Sequence, residues 1–316
     1  MARTHLVPAV LAIAAAILVS ACGGSSSSPE PQEPGAAPAP PAGPAAEGSI
    51  QALLEQDPAE DSALVFGTSD FAVGRNRVSF LLVDSTGELV QGGPARVRVA
   101  AGGLEAVPDA ETTAELIPVG VPPKAGDFDA PAVYVAHLDL PSPGRYTMLV
   151  EPEGADIQGF GQLDVAAESA VPAVGEAAVP SDNPTVEDGF PADITTATPP
   201  DVELLQHSVK ESIEDGVPFV VTFATPKFCA SRVCGPVVDV VDAVRRTFEG
   251  GGIRFIHVEI FEGNDPSRGF NRWVEEWSLP TEPWTFVVDG EGIIRARFEG
   301  LVTVQELEQA VRDTLL

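Results

Sequence analysis

Positive charge is scarce in this chain. Its 316 residues hold 18 lysines and arginines against 47 aspartates and glutamates, a formal net charge of −29. Such a chain is repelled by phosphate, which excludes nucleic acid as a partner. A strongly hydrated acidic surface is all that the imbalance requires. Histidine and methionine are also few, at 4 and 2. A metal site built on those ligands lacks its donors, so neither a metal nor a cofactor is expected. Cysteine occurs three times, at Cys22, Cys229 and Cys234. The apolar run over 6–19 is too short to span a bilayer comfortably, since a spanning helix needs about 20 residues. Glycine and proline are the opposite case. There are 30 of each, and their clustering marks parts of the chain as linker.

The N-terminus reads as a targeting segment, with Arg3 and His5 ahead of the apolar run and Ser20-Ala21-Cys22 behind it. The stretch Val19-Ser20-Ala21-Cys22 resembles the bacterial lipobox. The resemblance implies a signal peptide over 1–21, a diacylated Cys22 as the first mature residue, and an extracytoplasmic chain lipid-anchored to the cell membrane. The alternative is an ordinary secretory peptide that leaves Cys22 free. Lipidation leaves Cys229 and Cys234 as one pair in a compartment where disulfides persist. Residues 22–49 are rich in Ser, Pro, Ala and Gly, with little apolar bulk to bury, and read as a disordered tether.

From 50 to 166 the pattern is β. Strands are expected over 76–84 and 95–99, and over 133–140 and 146–151 flanking the turn Pro141-Ser142-Pro143-Gly144. Short strands at this spacing suggest an immunoglobulin-like sandwich, acting as a spacer or docking domain. His137 reads as an ordinary sheet residue. Residues 167–200 are a second proline-rich connector, within which Val174-Gly175-Glu176-Ala177-Ala178-Val179-Pro180 resembles the extended lead-in of redoxin domains.

From 201 to 316 helical and extended patterns alternate. Val202, Leu205, Val209 and Ile213 form a helical stripe behind Asp201 as N-cap. The apolar run over 219–223 has the β-branched content of a buried strand. The turn Thr225-Pro226-Lys227 follows, then Cys229 and Cys234, then a helical stripe of Val237, Val240, Val241, Val244 and Phe248. A cysteine at a helix N-terminus has a lowered pKa and is nucleophilic. Further on come a strand over 253–261, a helix over 270–277, a hairpin about Gly290-Glu291-Gly292, and a last helix opened by the capping box Thr303 and Glu306. Residues five apart on a continuous helix stand about 8.7 Å apart, beyond the ~7 Å that a disulfide bridges. The regular helix is therefore expected to begin at about Gly235 or Pro236, with 230–233 an exposed loop carrying Arg232.

Residues 172–316 resemble the thioredoxin-like superfamily. The resemblance rests on the strand–turn–Cys229 stretch and on Thr281-Glu282-Pro283-Trp284, followed by an apolar strand ending in Asp289-Gly290. The implied fold class is an all-β immunoglobulin-like sandwich followed by an α/β thioredoxin-like domain over 201–316. The implied activity is thiol–disulfide exchange with exported proteins that carry thiols or disulfides. Cys229 and Cys234 would be catalytic, Pro283 a cis-proline, and Pro283, Trp284 and Pro226 the substrate groove. Two features depart from the family. The spacing is C-x-x-x-x-C rather than C-x-x-C, and Thr222 stands where the family often has a buried carboxylate, so proton transfer would need another base or water. The four-residue gap is similar to that of bacterioferritin-comigratory peroxiredoxins, though the Thr and Pro positions differ. His257, in mid-strand, reads as a core or sheet-face residue. Two other functions stand beside disulfide exchange: a redox-inert binding lipoprotein and a peroxide reductase.

Overall fold

Seven strands in the first half of the chain close on themselves. The computed structural model describes residues 45–56, 60–90, 92–124 and 130–316. The signal peptide expected over 1–21, the expected lipidation at Cys22 and the expected tether as far as residue 44 lie outside the described residues. A short helix, α1 (Ile50–Gln56), stands where the sequence pattern suggested the start of β structure. It is followed by β1 (Glu60–Phe66), β2 (Gly74–Val83), β3 (Ala95–Ala101), β4 (Ala110–Pro118), β5 (Ala132–Leu140), β6 (Gly144–Pro152) and β7 (Ile157–Val165). Their order around the barrel is β1-β2-β5-β4-β3-β6-β7. Parallel pairing of Glu60 with Ile157 through Ala63 with Phe160 joins the first strand to the last.

The second half opens with a four-residue helix, α2 (Pro191–Ile194). The helical stripe expected over 202–213 is broken in two. A 3₁₀ turn over Val202–Leu205 is capped by Asp201, and α3 (Val209–Glu214) starts afresh because the Ser208 hydroxyl accepts from the Glu211 N–H. Then come β8 (Phe219–Phe223), α4 (Cys234–Thr247), β9 (Arg254–Val258), α5 (Arg272–Glu276), β10 (Trp284–Val288), β11 (Ile294–Glu299) and α6 (Val304–Leu315). The four strands form one sheet in the order β11-β10-β8-β9.

These arrangements correct the expected fold class in both halves. The first half is a closed barrel rather than an immunoglobulin-like sandwich of two sheets. Alternating inward and outward residues look the same in either architecture, and only the long-range β1–β7 pairing separates them. The α/β thioredoxin-like domain expected over 201–316 is not evident, since the described chain is mostly β. Only β8 and β9 are parallel, and both other pairings are antiparallel.

The two halves share a core. Inside the barrel, Val78, Phe80, Leu82, Tyr134, Ala136, Leu138 and Met148 are buried together. On the outer face of β4 and β5, Ile117, Val133 and Val135 are buried too, in one cluster with Val237, Val240 and Val241 of α4 and Leu307 and Val311 of α6. Each such fully buried side chain is worth about 1.5–3 kcal/mol. The four-stranded sheet therefore has both faces covered. Val220 and Val287 face this shared layer, while Phe219, Val221, Phe223, Trp284 and Phe286 pack on Trp277 and Val274 behind it. Period-two alternation along β8 and β10 sorts the two sets.

Polar ties cross the same boundary. Arg77 of β2 meets Glu306 of α6 at 2.6 Å and donates to the Leu301 carbonyl at 2.8 Å. Burial pushes the Glu306 carboxyl up, but the Arg77 charge and the Thr303 donors outweigh it and hold the group below its ordinary value. Glu299 accepts from the backbone N–H groups of Ser69 and Asp70, each at 2.8 Å. The described residues accordingly fall within one compact unit, Pro44–Leu316.

Candidate functional site: a thiol pair with a buried carboxylate

The site forms where β8 ends against α4. After Phe223 the chain turns at Thr225, whose carbonyl accepts from the Phe228 N–H at 3.3 Å and the Cys229 N–H at 3.1 Å. The Cys229 carbonyl accepts from Arg232 at 3.2 Å. Arg232 sits in the left-handed region at φ 59°, which reverses the chain into the helix. Residues 230–232 are exposed, as the cysteine spacing requires, and α4 begins at Cys234, one residue before the expected start. Cys229 thus lies outside the helix and Cys234 on its first turn. Both are buried free thiols, and they come within 2.7 Å of each other.

The start of α4 explains the chemistry. Val233 occupies the N-cap and supplies no side-chain acceptor, so the first N–H groups of the helix need another partner. The Cys229 sulfur provides it, accepting from the backbone of Cys234 and Val233. The largest influence lowering its pKa is the adjoining Cys234 thiol, and Ser231 Oγ stands 3.2 Å away. Against the opposing effect of burial, these donors pull the Cys229 pKa down to about 5, so the group is a thiolate at neutral pH. Cys234 is the reverse case. Its burial and the negative Cys229 beside it push its thiol far up.

A third group completes the cluster. Donor atoms of Cys229, Cys234 and Glu282 lie within 4.8 Å of one another. Burial, and then the Cys229 charge, raise the Glu282 carboxyl to about 7. Sequence reasoning quoted Glu282 in its motif and gave it no role. The available signal was a carboxylate immediately before the proline expected to face the cysteines. Two thiols and a carboxylate are also ligand types for a thiophilic cation.

The other expected residues are placed as follows. The Glu282–Pro283 bond is cis and Pro283 is buried. Pro226 is half-buried and, with Gly235, Lys227 and Pro199, borders a cleft of about 520 Å³ beside the cysteine loop. Trp284 is only 2% exposed, stacks on Phe286, and donates from Nε1 to Thr281 Oγ1 at 3.1 Å. Its ring belongs to the core behind the sheet, away from the layer that holds the cysteines. Thr222 bonds Thr285 Oγ1 at 3.1 Å and the Trp284 carbonyl at 3.2 Å. His257 is buried, within 3.0 Å of the Ala224 carbonyl and 3.3 Å of Thr195 Oγ1, which is a structural role. His137 faces outward on β5.

No protein-family model matches the sequence, and no curated protein does. Three solved structures illustrate the likenesses found. A thiol:disulfide interchange protein of the thioredoxin family from Chlorobium tepidum TLS is 15% identical, with a TM-score of 0.30 over 46% of this chain and 97% of that one. The Lin-41 filamin domain is 16% identical, with a TM-score of 0.20 over 35% and 96%. BslA, a bacterial hydrophobin, is 15% identical, with a TM-score of 0.19 over 33% and 98%. At these scores none of the three assigns the chain to a family.

Proposed function

We propose that this chain is a thiol–disulfide oxidoreductase acting on exported proteins, with Cys229 as nucleophile and Cys234 as resolving thiol. The observation that carries the reading is a pair of buried cysteines side by side at the start of α4. Cys229 lies just outside the helix and Cys234 on its first turn, in surroundings that pull the Cys229 pKa down and push that of Cys234 up. The division of labour follows from the two environments. A thiolate attacks one sulfur of a partner disulfide and the other sulfur leaves as a thiolate, giving a mixed disulfide. Cys234 then displaces the partner from Cys229. The pair loses two electrons, the partner gains them, and the reverse sequence oxidises a partner dithiol. Pro283 and Pro226 border the cysteine loop, and Trp284 supports the strand beneath it.

Cys234→Ser removes the resolving step and leaves the nucleophile. Incubated with a disulfide-bearing exported protein, this variant is expected to accumulate a reductant-sensitive adduct on Cys229, absent from Cys229→Ser. Failure to form any adduct would sink the exchange reading.

We place the protein outside the cytoplasm, held to the membrane through acyl chains on Cys22 and reaching outward on a tether that ends before the folded turn at 45–49, where Ser49 is buried. The Val19-Ser20-Ala21-Cys22 motif and the composition behind it support this. Cys22→Ser is expected to move the protein from the detergent phase to the aqueous phase on phase partitioning. An unmoved variant would rule out the anchor.

A further inference from the structure

The resolving thiol poses a difficulty that the exchange reading does not by itself answer. Cys234 is fully buried and held protonated, yet it must lose a proton to attack. Thr222, on the strand beneath, cannot accept one at neutral pH. Glu282 reaches the thiols by a different route. β10 runs antiparallel to β8 with Trp284 opposite Phe223, so the residues before Trp284 extend past the end of β8. That is where the cysteine loop departs. The carboxylate therefore arrives beside both sulfurs, within the 4.8 Å cluster. The ionisable groups acting on Cys234 are Cys229 and Glu282, and the one acting on Glu282 is Cys229. No ion pair among the described residues engages Glu282, so its charge is not committed elsewhere.

We propose that Glu282 is the proton acceptor for Cys234 in the resolving step, an assignment that rests on the exchange reading above. In the mixed disulfide, the Cys234 S–H proton passes through one bridging water to the Glu282 carboxylate, which stands within the 4.8 Å cluster. The Cys234 sulfur forms a bond to Cys229 Sγ, and the bond from Cys229 to the partner sulfur breaks, that sulfur leaving with the electron pair. In the reverse direction the protonated Glu282 returns the proton to Cys234 as it departs.

The electrostatics supply the timing. In the reduced protein the Cys229 charge raises both Glu282 and Cys234. Once Cys229 is tied up in the mixed disulfide that charge is gone. Glu282 then ionises more readily, becoming a base, at the moment when Cys234 becomes easier to deprotonate. The free thiolate keeps its own base switched off.

Dithiobis(nitrobenzoate) separates the steps in the full-length reduced protein. Attack by Cys229 releases one coloured thiol, and displacement by Cys234 releases a second. Glu282→Gln is expected to leave the first release within about twofold and slow the second at pH 7 by at least ~10-fold, as loss of a general base does. Glu282→Asp, which keeps a carboxylate, should recover part of the rate. In the native protein the second release should lose rate as pH falls through the Glu282 value of the mixed disulfide. Burial holds that value above the ordinary carboxylate range, but it lies below about 7 once the Cys229 charge is gone. The first release should lose rate only near about 5. An unchanged second release in Glu282→Gln overturns the assignment. So does equal slowing of both releases, or, if that variant does not fold, a native second phase with no inflection between those pH values. A native protein that gives one coloured thiol, the same as Cys234→Ser, would instead refute the exchange reading itself.

Discussion

Replacing Cys234 by alanine is expected to deprive Cys229 of most of its reactivity at pH 6, although the nucleophile itself is untouched. The largest single support of the Cys229 thiolate is the hydrogen bond from the Cys234 thiol. Burial works the other way, and Ser231 with two backbone N–H groups makes up the rest. With the Cys234 donor removed, the Cys229 pKa rises from about 5 toward the ordinary thiol value of ~8.5. The sign is that of a depressed acid. Native reactivity persists until pH falls through about 5, whereas in the variant it is already failing well above that. At pH 6 the expected loss of thiolate, and with it of alkylation rate, is on the order of 10–100-fold. Iodoacetamide labelling followed across pH, with the modified peptide identified, measures it. Cys234→Ser should lose less, because a hydroxyl can still donate to the sulfur. An alanine variant that alkylates at the native rate would mean that the helix N-terminus alone holds the thiolate.

Gly300→Ala is expected to be the most damaging single-methyl change in the protein. Gly300 follows β11 with φ 69°, a conformation that costs other residues about 1–2 kcal/mol. A Cβ placed there would also overlap the carbonyl oxygen of Gly67 in the barrel, and overpacking of that kind adds about 1–3 kcal/mol. Together these give a loss of about 2–5 kcal/mol, readable in denaturant unfolding. The same residue donates its N–H to the Pro283 carbonyl at 2.8 Å, so relief by local movement would disturb the segment that carries Glu282. Labelling of Cys229 should fall along with stability. Gly189→Ala is the control. A methyl there meets nothing within 4 Å, and the change should stay within about 0.5 kcal/mol. Similar behaviour of the two variants would show that the Gly67–Gly300 approach is not tight.

Much of the local structure around the candidate site was readable in the sequence because its signals are local. The apolar run over Phe219–Phe223 is a buried strand, and the turn at Pro226 places Cys229 ahead of a helix. Gly235-Pro236 then sits on the first turn of α4, where a missing N–H costs nothing. Thr303 and Glu306 form their capping box as spelled out. What escaped was long-range. Nothing near Glu60 or Ile157 announces that the two pair across the whole β segment, so a closed barrel passed for a sandwich. Val133 and Val135 interleave with Tyr134 and Ala136, and this run of buried residues reads as one strong strand. It is a strand pressed between the barrel interior and two helices. Trp284 suggested a groove by its place in the motif, whereas the alternation of β10 turns it into the core. Glu282 needed the pairing of β10 with β8 before its nearness to the thiols could be seen.

The shared layer beneath α4 has a bearing on how such a protein changes over generations. A redox segment joined to its neighbour only by linker can be shuffled, duplicated or given a new companion without cost to its interior. Here Cys234 and Val237 belong to the same buried cluster as Ile117, Val133 and Val135. Deleting or exchanging the barrel would strip one wall from the packing that sets the thiol environment, and Glu306 would lose the arginine whose charge offsets its burial. The two halves are therefore bound to drift together. A substitution on the outer face of β5 is, in selective terms, a substitution in the surroundings of the thiol pair.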